Sequence, residues 1–268
     1  MTEEKKYIDT ISSISIDNFK DGNYPEPRKI QPYTLFSYYY DEIMDYLKYD
    51  DWYEYVILCA EFFSIKKKKL LEIASGTGHF GYLLSKNFNV TLSDNSVSML
   101  TLVKSRYPEF KPILLDMKKF DLKKKFNIIL NFNDNINYLL TDEELFSHFL
   151  CVKRHLKKSG MYLFDCTPYL NIKNNFSGKV IIKNIRDSIL RWETTFNDTT
   201  GRIKARVDIY DIKSGKILRE EHIQQIHQPQ KIISLLKKAG FNKINHFNGF
   251  TLRPAHSLSL HYHFAILN

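Results

Sequence analysis

Six groups of residues in this 268-residue chain have the types and spacing to do chemistry. In LLEIASGTGHFG, Leu70 to Gly81, an acid at Glu72 precedes Gly76, Gly78 and Gly81. The last six residues match G-x-G-x-x-G, a spacing that turns a strand tightly into a helix and offers backbone to a ligand. Alone, the match does not separate a dinucleotide pyrophosphate from another ligand that needs a backbone-lined cradle, although an acid at the strand end suits a pyrophosphate poorly. Asp94 in VTLSDNS follows Glu72 by 22 residues, with Asn95 beside it. Asp116 and Met117 end the apolar run of ILLDMKKF, and NFNDNINY brings Asn131, Asp134 and Tyr138 together. Asp134 is either a group that orients or deprotonates an amine or a turn-capping carboxylate. Of His222 and His227, either one serves as base or substrate ligand or both are ordinary surface strand residues. His261 and His263 alternate, a spacing able to ligate metal, but no matching carboxylate or Cys lies nearby in sequence and no metal site is expected.

These residues need elements to hold them. Lys69–Ile73 reads as a strand, Gly78–Lys86 as a helix, Asn89–Ser93 as a strand and Ser96–Tyr107 as a helix. Strands at Pro112–Leu115 and Phe126–Phe132 follow. TDEE at Thr141 then caps a helix that runs toward Leu156, and a fifth strand, MYLFD, follows a turn ending at Gly160. Such alternation predicts a largely parallel sheet with helices on both faces. Upstream, Tyr33–Phe63 has the mixed three- and four-residue apolar spacing of two amphipathic helices, broken near Tyr49–Asp51. Residues 1–30 end in the Pro-interrupted NYPEPRKIQP and read as a flexible or surface-hugging arm. Downstream, roughly from 178 to 228, alternating segments separated by TTG and KSG read as antiparallel hairpins. A helix stopped by Gly240 and two closing strands complete the chain.

Composition narrows the class. Hydrophobic residues at 43% and aromatics at 14% argue for a folded globule. The absence of a membrane-length apolar run, and of a signal-peptide core in MTEEKKYIDT, leads to the expectation of a cytoplasmic protein without membrane contact. Cys59, Cys151 and Cys166 lack redox or zinc spacing and read as core residues. A net charge of +9, with lysines at Lys66–Lys69, Lys118–Lys119 and Lys123–Lys125, reads as solvated loops or an anion-attracting surface. No appended RNA module accompanies it.

The ordered set Glu72, Gly76, Gly78, Asp94 and Asp116 resembles class I S-adenosylmethionine-dependent methyltransferases, whose loop is commonly written D/E-x-G-x-G-x-G. Ala74 replaces the first glycine of that loop. The resemblance is specific over residues 70–170 and looks nearest to small-molecule, glycine N-methyltransferase-like enzymes. Asp134-Asn135-Ile136-Asn137-Tyr138-Leu139 matches their D-x-x-N-Y-L phrase; Tyr33, Phe36, Tyr40 and Asp41 match their lead-in; and Ala239–Phe241 matches a late A-G-F turn.

By this resemblance the fold is an α/β, Rossmann-like, doubly wound seven-stranded sheet with its last strand antiparallel, an N-terminal helical lid and an inserted antiparallel β-sheet. Its divisions are an arm at 1–30 and a methyltransferase domain at 31–268. Within the domain, the lid spans 31–64, the cofactor-binding core 65–170, the β-insertion over the acceptor pocket 171–228, and the C-terminal helix and closing strands 229–268. The cofactor-binding residues would be Tyr33, Trp52, Glu72, Ala74, Gly76, Gly78, Asp94, Asn95, Asp116, Met117 and Asn131. Asp94 would take the ribose hydroxyls, and Asp116 with Met117 the adenine. Asp134, Tyr138 and His222 would serve catalysis. Tyr38, Tyr39, Tyr40, Trp52 and Tyr53 either cage a sulfonium or pack.

The expected function is methyl transfer from S-adenosyl-L-methionine, leaving S-adenosyl-L-homocysteine, to N or O of a small molecule. The alternatives are an RNA methyltransferase and a non-catalytic cofactor-binding scaffold. A nicotinamide enzyme would share Asp94 but has no equal need of Asp116 and Met117. A homodimer is compatible with this reading.

Overall fold

The computed structural model describes residues 15–66 and 69–268. Its larger sheet has seven strands in the order β11-β12-β6-β5-β2-β3-β4. These are β2 (Lys69–Ile73), β3 (Asn89–Asp94), β4 (Ile113–Leu114), β5 (Phe126–Asn131), β6 (Leu156–Cys166), β11 (Lys243–Asn248) and β12 (Tyr262–Leu267). Five strands run parallel, and β12 is antiparallel to both β6 and β11. All six residues of β5 are buried, as expected of a strand covered on both faces.

Alternation along the strands sorts side chains between two cores. Leu71, Ile73 and Ile129 pack with Leu145, Phe149 and Val152 of helix α6 (Asp142–His155) and with Ile232 and Leu236 of α8 (Pro229–Lys238). Leu70, Ile128 and Leu130 pack on the other face with Tyr55 and Val56 of α3 (Tyr49–Phe62) and Phe80 of α4 (His79–Leu84). The three cysteines are buried and unbonded to one another. Strand order reverses between β2 and β5, where doubly wound sheets open a crevice beyond the strand carboxyl ends. Among the described residues no helix is long and apolar enough to cross a membrane.

The second sheet has the order β1-β10-β9-β8-β7. Strands β7 (Val180–Ile185), β8 (Ser188–Asn197), β9 (Arg202–Asp211) and β10 (Ile217–Gln225) are the expected antiparallel hairpins. The unexpected member is β1 (Arg28–Ile30), which pairs in parallel with Leu218–Glu220 of β10. Just upstream, α1 (Ile16–Asp21) is capped by Ser15 and buries Phe19 completely against Ile189, Tyr210 and Ile217. Tyr24 bonds to Asp208 at 2.5 Å, and Arg219 bridges Asp208 and Glu26. The reading of residues 1–30 as an arm outside the core therefore fails from Ser15 onward; residues 1–14 lie outside the described residues. Its prolines punctuate the chain, but its apolar residues have partners almost two hundred positions away.

Three further expectations are corrected. The lead-in is a 3₁₀ turn at Phe36–Tyr38, a four-residue α2 (Tyr40–Ile43) and then α3. The break precedes Tyr49, and Asp50 and Asp51 occupy the first turn of α3, where acids complement the helix N-terminus. Strand β6 starts at Leu156, before Gly160, and a register shift against β5 between Phe126 and Ile128 absorbs the irregularity. Helix α7 (Tyr169–Asn175) links core to insertion where none was expected. Of the lysine clusters, Lys67 and Lys68 lie outside the described residues, while Lys118 pairs with Glu144 at 2.8 Å and Lys123 with Asp121 at 2.6 Å.

Candidate active site

The turn after β2 is left-handed at three places, with φ of 55° at Ala74, 54° at Gly76 and 79° at Gly78. At Gly78 both conformation and space demand glycine, since an added Cβ would stand 2.9 Å from Val103 Cγ2. Gly81 answers to packing alone: a Cβ there would overlap Leu92 Cδ2 and reach 2.5 Å from Glu72 Oε2. The third glycine of the motif thus lets α4 lie close on the sheet. At Gly76, by contrast, a Cβ would meet nothing within 4 Å, because this residue faces open space.

That space is a cavity of ≈ 790 Å³ at the carboxyl ends of the parallel strands, within the size range of small-molecule sites. Tyr33, Trp52, Glu72, Ala74, Gly76, Asp94, Asn95, Asp116, Met117 and Tyr138 all line it. Tyr33, Ala74 and Asn133, also on its wall, share positive φ, a concentration of backbone strain typical of functional sites.

One end of the cavity is acidic. Asp94 is held by backbone donors, its Oδ2 accepting from Gly76 N and its Oδ1 from Ser96 N, both at 2.8 Å. Burial raises its pKa, opposed by those amides. Ser96 also caps α5 (Val97–Arg106) through Met99 N. Glu72 is 6% exposed, and its Oε2 has no hydrogen-bond partner among the described residues. Desolvation, then the charge of Asp94, push its pKa up to about 8. A buried acceptor without a donor calls for a ligand that supplies one. Asp116 turns one oxygen to Lys118 N at 2.9 Å. The Met117 carbonyl is fixed by His148 Nδ1–H at 3.0 Å, whose Nε2 faces Tyr162 Oη at 2.8 Å.

The other end is roofed by the lead-in and the insertion. Glu220 of β10 accepts hydrogen bonds from Tyr33 N, Leu35 N and Phe36 N at 2.5, 2.7 and 2.9 Å. Tyr33 Oη lies 2.7 Å from Tyr138 Oη, which lies 3.0 Å from His222 Nδ1, and His222 Nε2 faces Glu220 at 3.6 Å. Burial raises the pKa of both tyrosines. Asp41, bonded to Thr77 Oγ1 at 2.6 Å and paired with Arg106, ties the lead-in to the glycine turn.

Several candidates stand elsewhere. Asp134 does not line the cavity; Thr167 N and Oγ1 both bond to its carboxylate, and its own N donates to Asp165 at 2.9 Å. It ties the loop after β5 to the end of β6, the turn-capping alternative. Asn131 is fully buried behind Met117, reaching its sulfur at 3.7 Å. Gly78 and His222 also lie off the wall, although His222 reaches it through Tyr138. His227 bonds to Leu139 O at 2.7 Å. Of the aromatic set only Tyr40 and Trp52 line the cavity; Tyr39 bonds to Ser188, Tyr53 to Asn87, and Tyr38 is exposed. Tyr49, Thr77, Asn133 and Asn135 were missed. Their signal is proximity to the motifs, and the sequence pattern of the lead-in places a helix break at Tyr49.

A family model described as methyltransferase domain matches residues 70–160. A Bacillus subtilis (strain 168) protein named "Putative methyltransferase YqeM" is 29% identical over 217 residues, 78% of this chain and 86% of that one. An S-adenosylmethionine-dependent methyltransferase from Clostridium acetobutylicum ATCC 824 aligns with a TM-score of 0.76 at 20% identity, covering 88% of this chain and 98% of that one. The sugar N-methyltransferase KedS8 from Streptoalloteichus sp ATCC 53650 aligns at 0.70 and 17% identity, covering 96% and 97%. At those identities the structural likeness is one of fold, and the sequence matches carry the rest. Residues 70–160 thus match a methyltransferase domain, in a chain that shares the fold of the S-adenosylmethionine-dependent methyltransferase it aligns with.

Proposed function

We propose that the cavity binds S-adenosylmethionine and that the chain moves its methyl group to nitrogen or oxygen of a small-molecule acceptor by in-line displacement. The cofactor, when bound, supplies a methyl group already activated by its positively charged sulfur. The chain then needs chiefly to position the reactants and exclude water. Glu72, with an unpartnered buried oxygen, is suited to accept from an α-ammonium group, and Gly76 leaves room for backbone approach. Asp94, fixed by two amides, is suited to a ribose diol. Asp116 and Met117 flank the place for a base, and Tyr33, Tyr40, Tyr49 and Trp52 close the cavity from the lead-in side.

The observation that carries the acceptor reading is the chain Tyr33–Tyr138–His222–Glu220 at the roof. If Tyr33 donates to Tyr138 and Tyr138 to His222 Nδ1, a proton leaving the acceptor can pass along the two hydroxyls to that imidazole, whose Nε2 faces Glu220 at 3.6 Å without a hydrogen bond. Two tyrosine hydroxyls suit an uncharged amine or hydroxyl. KedS8 acts on a sugar nitrogen, which supports amino sugars as the first acceptors to test. Incubation of the purified chain with S-adenosylmethionine and a panel of amino sugars, amines and phenols should release S-adenosylhomocysteine only with the right acceptor. Calorimetry in which neither S-adenosylmethionine nor S-adenosylhomocysteine binds would overturn the reading.

A further inference from the structure

On the sheet face covered by α3, behind Phe132 and Trp52, the fold assembles a group that the methyl-transfer reading does not use. His263 of β12 stands directly opposite Asp165 in the β6–β12 ladder, and His261, two residues earlier, joins them. His261 Nε2 is 3.3 Å from Asp165 Oδ2, and one donor atom from each of the three lies within 4.8 Å of the others. Asp165 and His263 are each 1% exposed. Neither ring nitrogen of His263 has a hydrogen-bond partner among the described residues, although Tyr55, Phe250 and Phe132 pack around the ring at 4.6, 4.7 and 5.7 Å. An imidazole sealed among aromatics with both nitrogens idle has given up its hydrogen bonds to water without replacing them. Such a group in a native core requires a reason.

We propose that Asp165, His261 and His263 form a site for a divalent transition-metal ion of the zinc type, with solvent completing the coordination. Two imidazoles and one carboxylate are the donor set that such ions take. Ligand atoms about 2.0–2.2 Å from zinc in a tetrahedron stand roughly 3.3 Å apart. The His261–Asp165 separation already meets that spacing, and only His263 must close in. His261, with 28% of its side chain exposed, provides the entry. Asp165 binds through Oδ2, because Oδ1 accepts from Asp134 N. The ion therefore stands one hydrogen bond from the loop that carries Tyr138, and its role is to fix that loop against β6 and β12.

The test uses the untagged, chelator-treated full chain, titrated with ZnCl2 and, separately, with CoCl2. Mass spectrometry of the desalted protein should find one zinc per chain, and cobalt should give the visible absorption of a tetrahedral site. His263→Gln should lose both signals. If that variant fails to fold by circular dichroism, His261→Gln, at the exposed edge, should lose them instead. Failure of the folded wild-type chain to retain stoichiometric zinc, leaving a buried His–Asp ion pair alone, would overturn the site. So would retention of full zinc and cobalt signals in a folded variant, which would assign the metal to other histidines.

Discussion

Glu72 is ionised only at a cost, and substituting Gln tests both that cost and its purpose. Its folded pKa is about 8 against an ordinary value of 4.5. An acid whose folded pKa is raised loses stability as pH climbs from the unfolded value to the folded one, because the unfolded chain gives up its proton first. From pH 4.5 to pH 7 that amounts to about 3 kcal/mol, at 1.36 kcal/mol per unit. Glu72→Gln, of the same shape but never charged, should recover most of it. The expected result at pH 7 is a melting temperature higher by roughly 5–10 °C. Affinity for S-adenosylhomocysteine should move the other way. A hydrogen bond to a charged group contributes about 1.5–3 kcal/mol, so above pH 8 the variant should bind roughly 10–150-fold more weakly. By pH 7 the gap should shrink about tenfold, since wild-type Glu72 must first release its proton. Differential scanning fluorimetry and titration calorimetry at pH 7.0 and 8.5 read both effects, with a proton released on binding at the lower pH. A variant that melts lower, or an affinity gap that ignores pH, would refute the assignment of Glu72 as the ammonium receptor.

Other outcomes follow from the same geometry. Gly81→Ala should cost about 1–3 kcal/mol by overpacking and also weaken S-adenosylhomocysteine, because the new methyl meets Glu72 as well as Leu92; denaturant melts with and without ligand separate the two effects. His148 is fully buried, and desolvation pushes its pKa down to about 4, against the pull of the Met117 carbonyl. Its contribution is intact above pH 6.5 and is lost as pH falls toward 4, by up to about 3 kcal/mol, so His148→Gln should flatten that limb of the stability–pH curve. Tyr138→Phe removes the hydroxyl between Tyr33 and His222 and should lower kcat by about 10²-fold or more, leaving the dissociation constant of S-adenosylhomocysteine within about twofold by the same division of roles.

The parallel core was legible because its signals are local. Leu70–Gly81 carries strand, turn and helix start within one stretch, and Asp94 and Asp116 end strands recognisable from their own apolar residues. What escaped was set by partners far along the chain. Nothing near Arg28–Ile30 announces that β10 will adopt it as an edge strand. Asp134 reads either as a base beside Tyr138 or as a turn cap, and only Thr167, brought over by β6 to occupy its carboxylate, decides for the cap. The pair His261 and His263 appeared to lack an acid, and Asp165 arrives only when β12 lies antiparallel on β6. Tyr49 reads as a boundary in the sequence because the acids beside it, Asp50 and Asp51, look like a break, whereas they form the first turn of α3.

The grip of Glu220 on three lead-in amides, those of Tyr33, Leu35 and Phe36, has an architectural result. Since β1 is stitched to the same strand a few residues earlier, the covering segment and the insertion are bound to each other as one frame. Grafting a foreign insertion to alter acceptor choice must therefore bring residues 28–36 along with it, or the transplanted roof will arrive without its door.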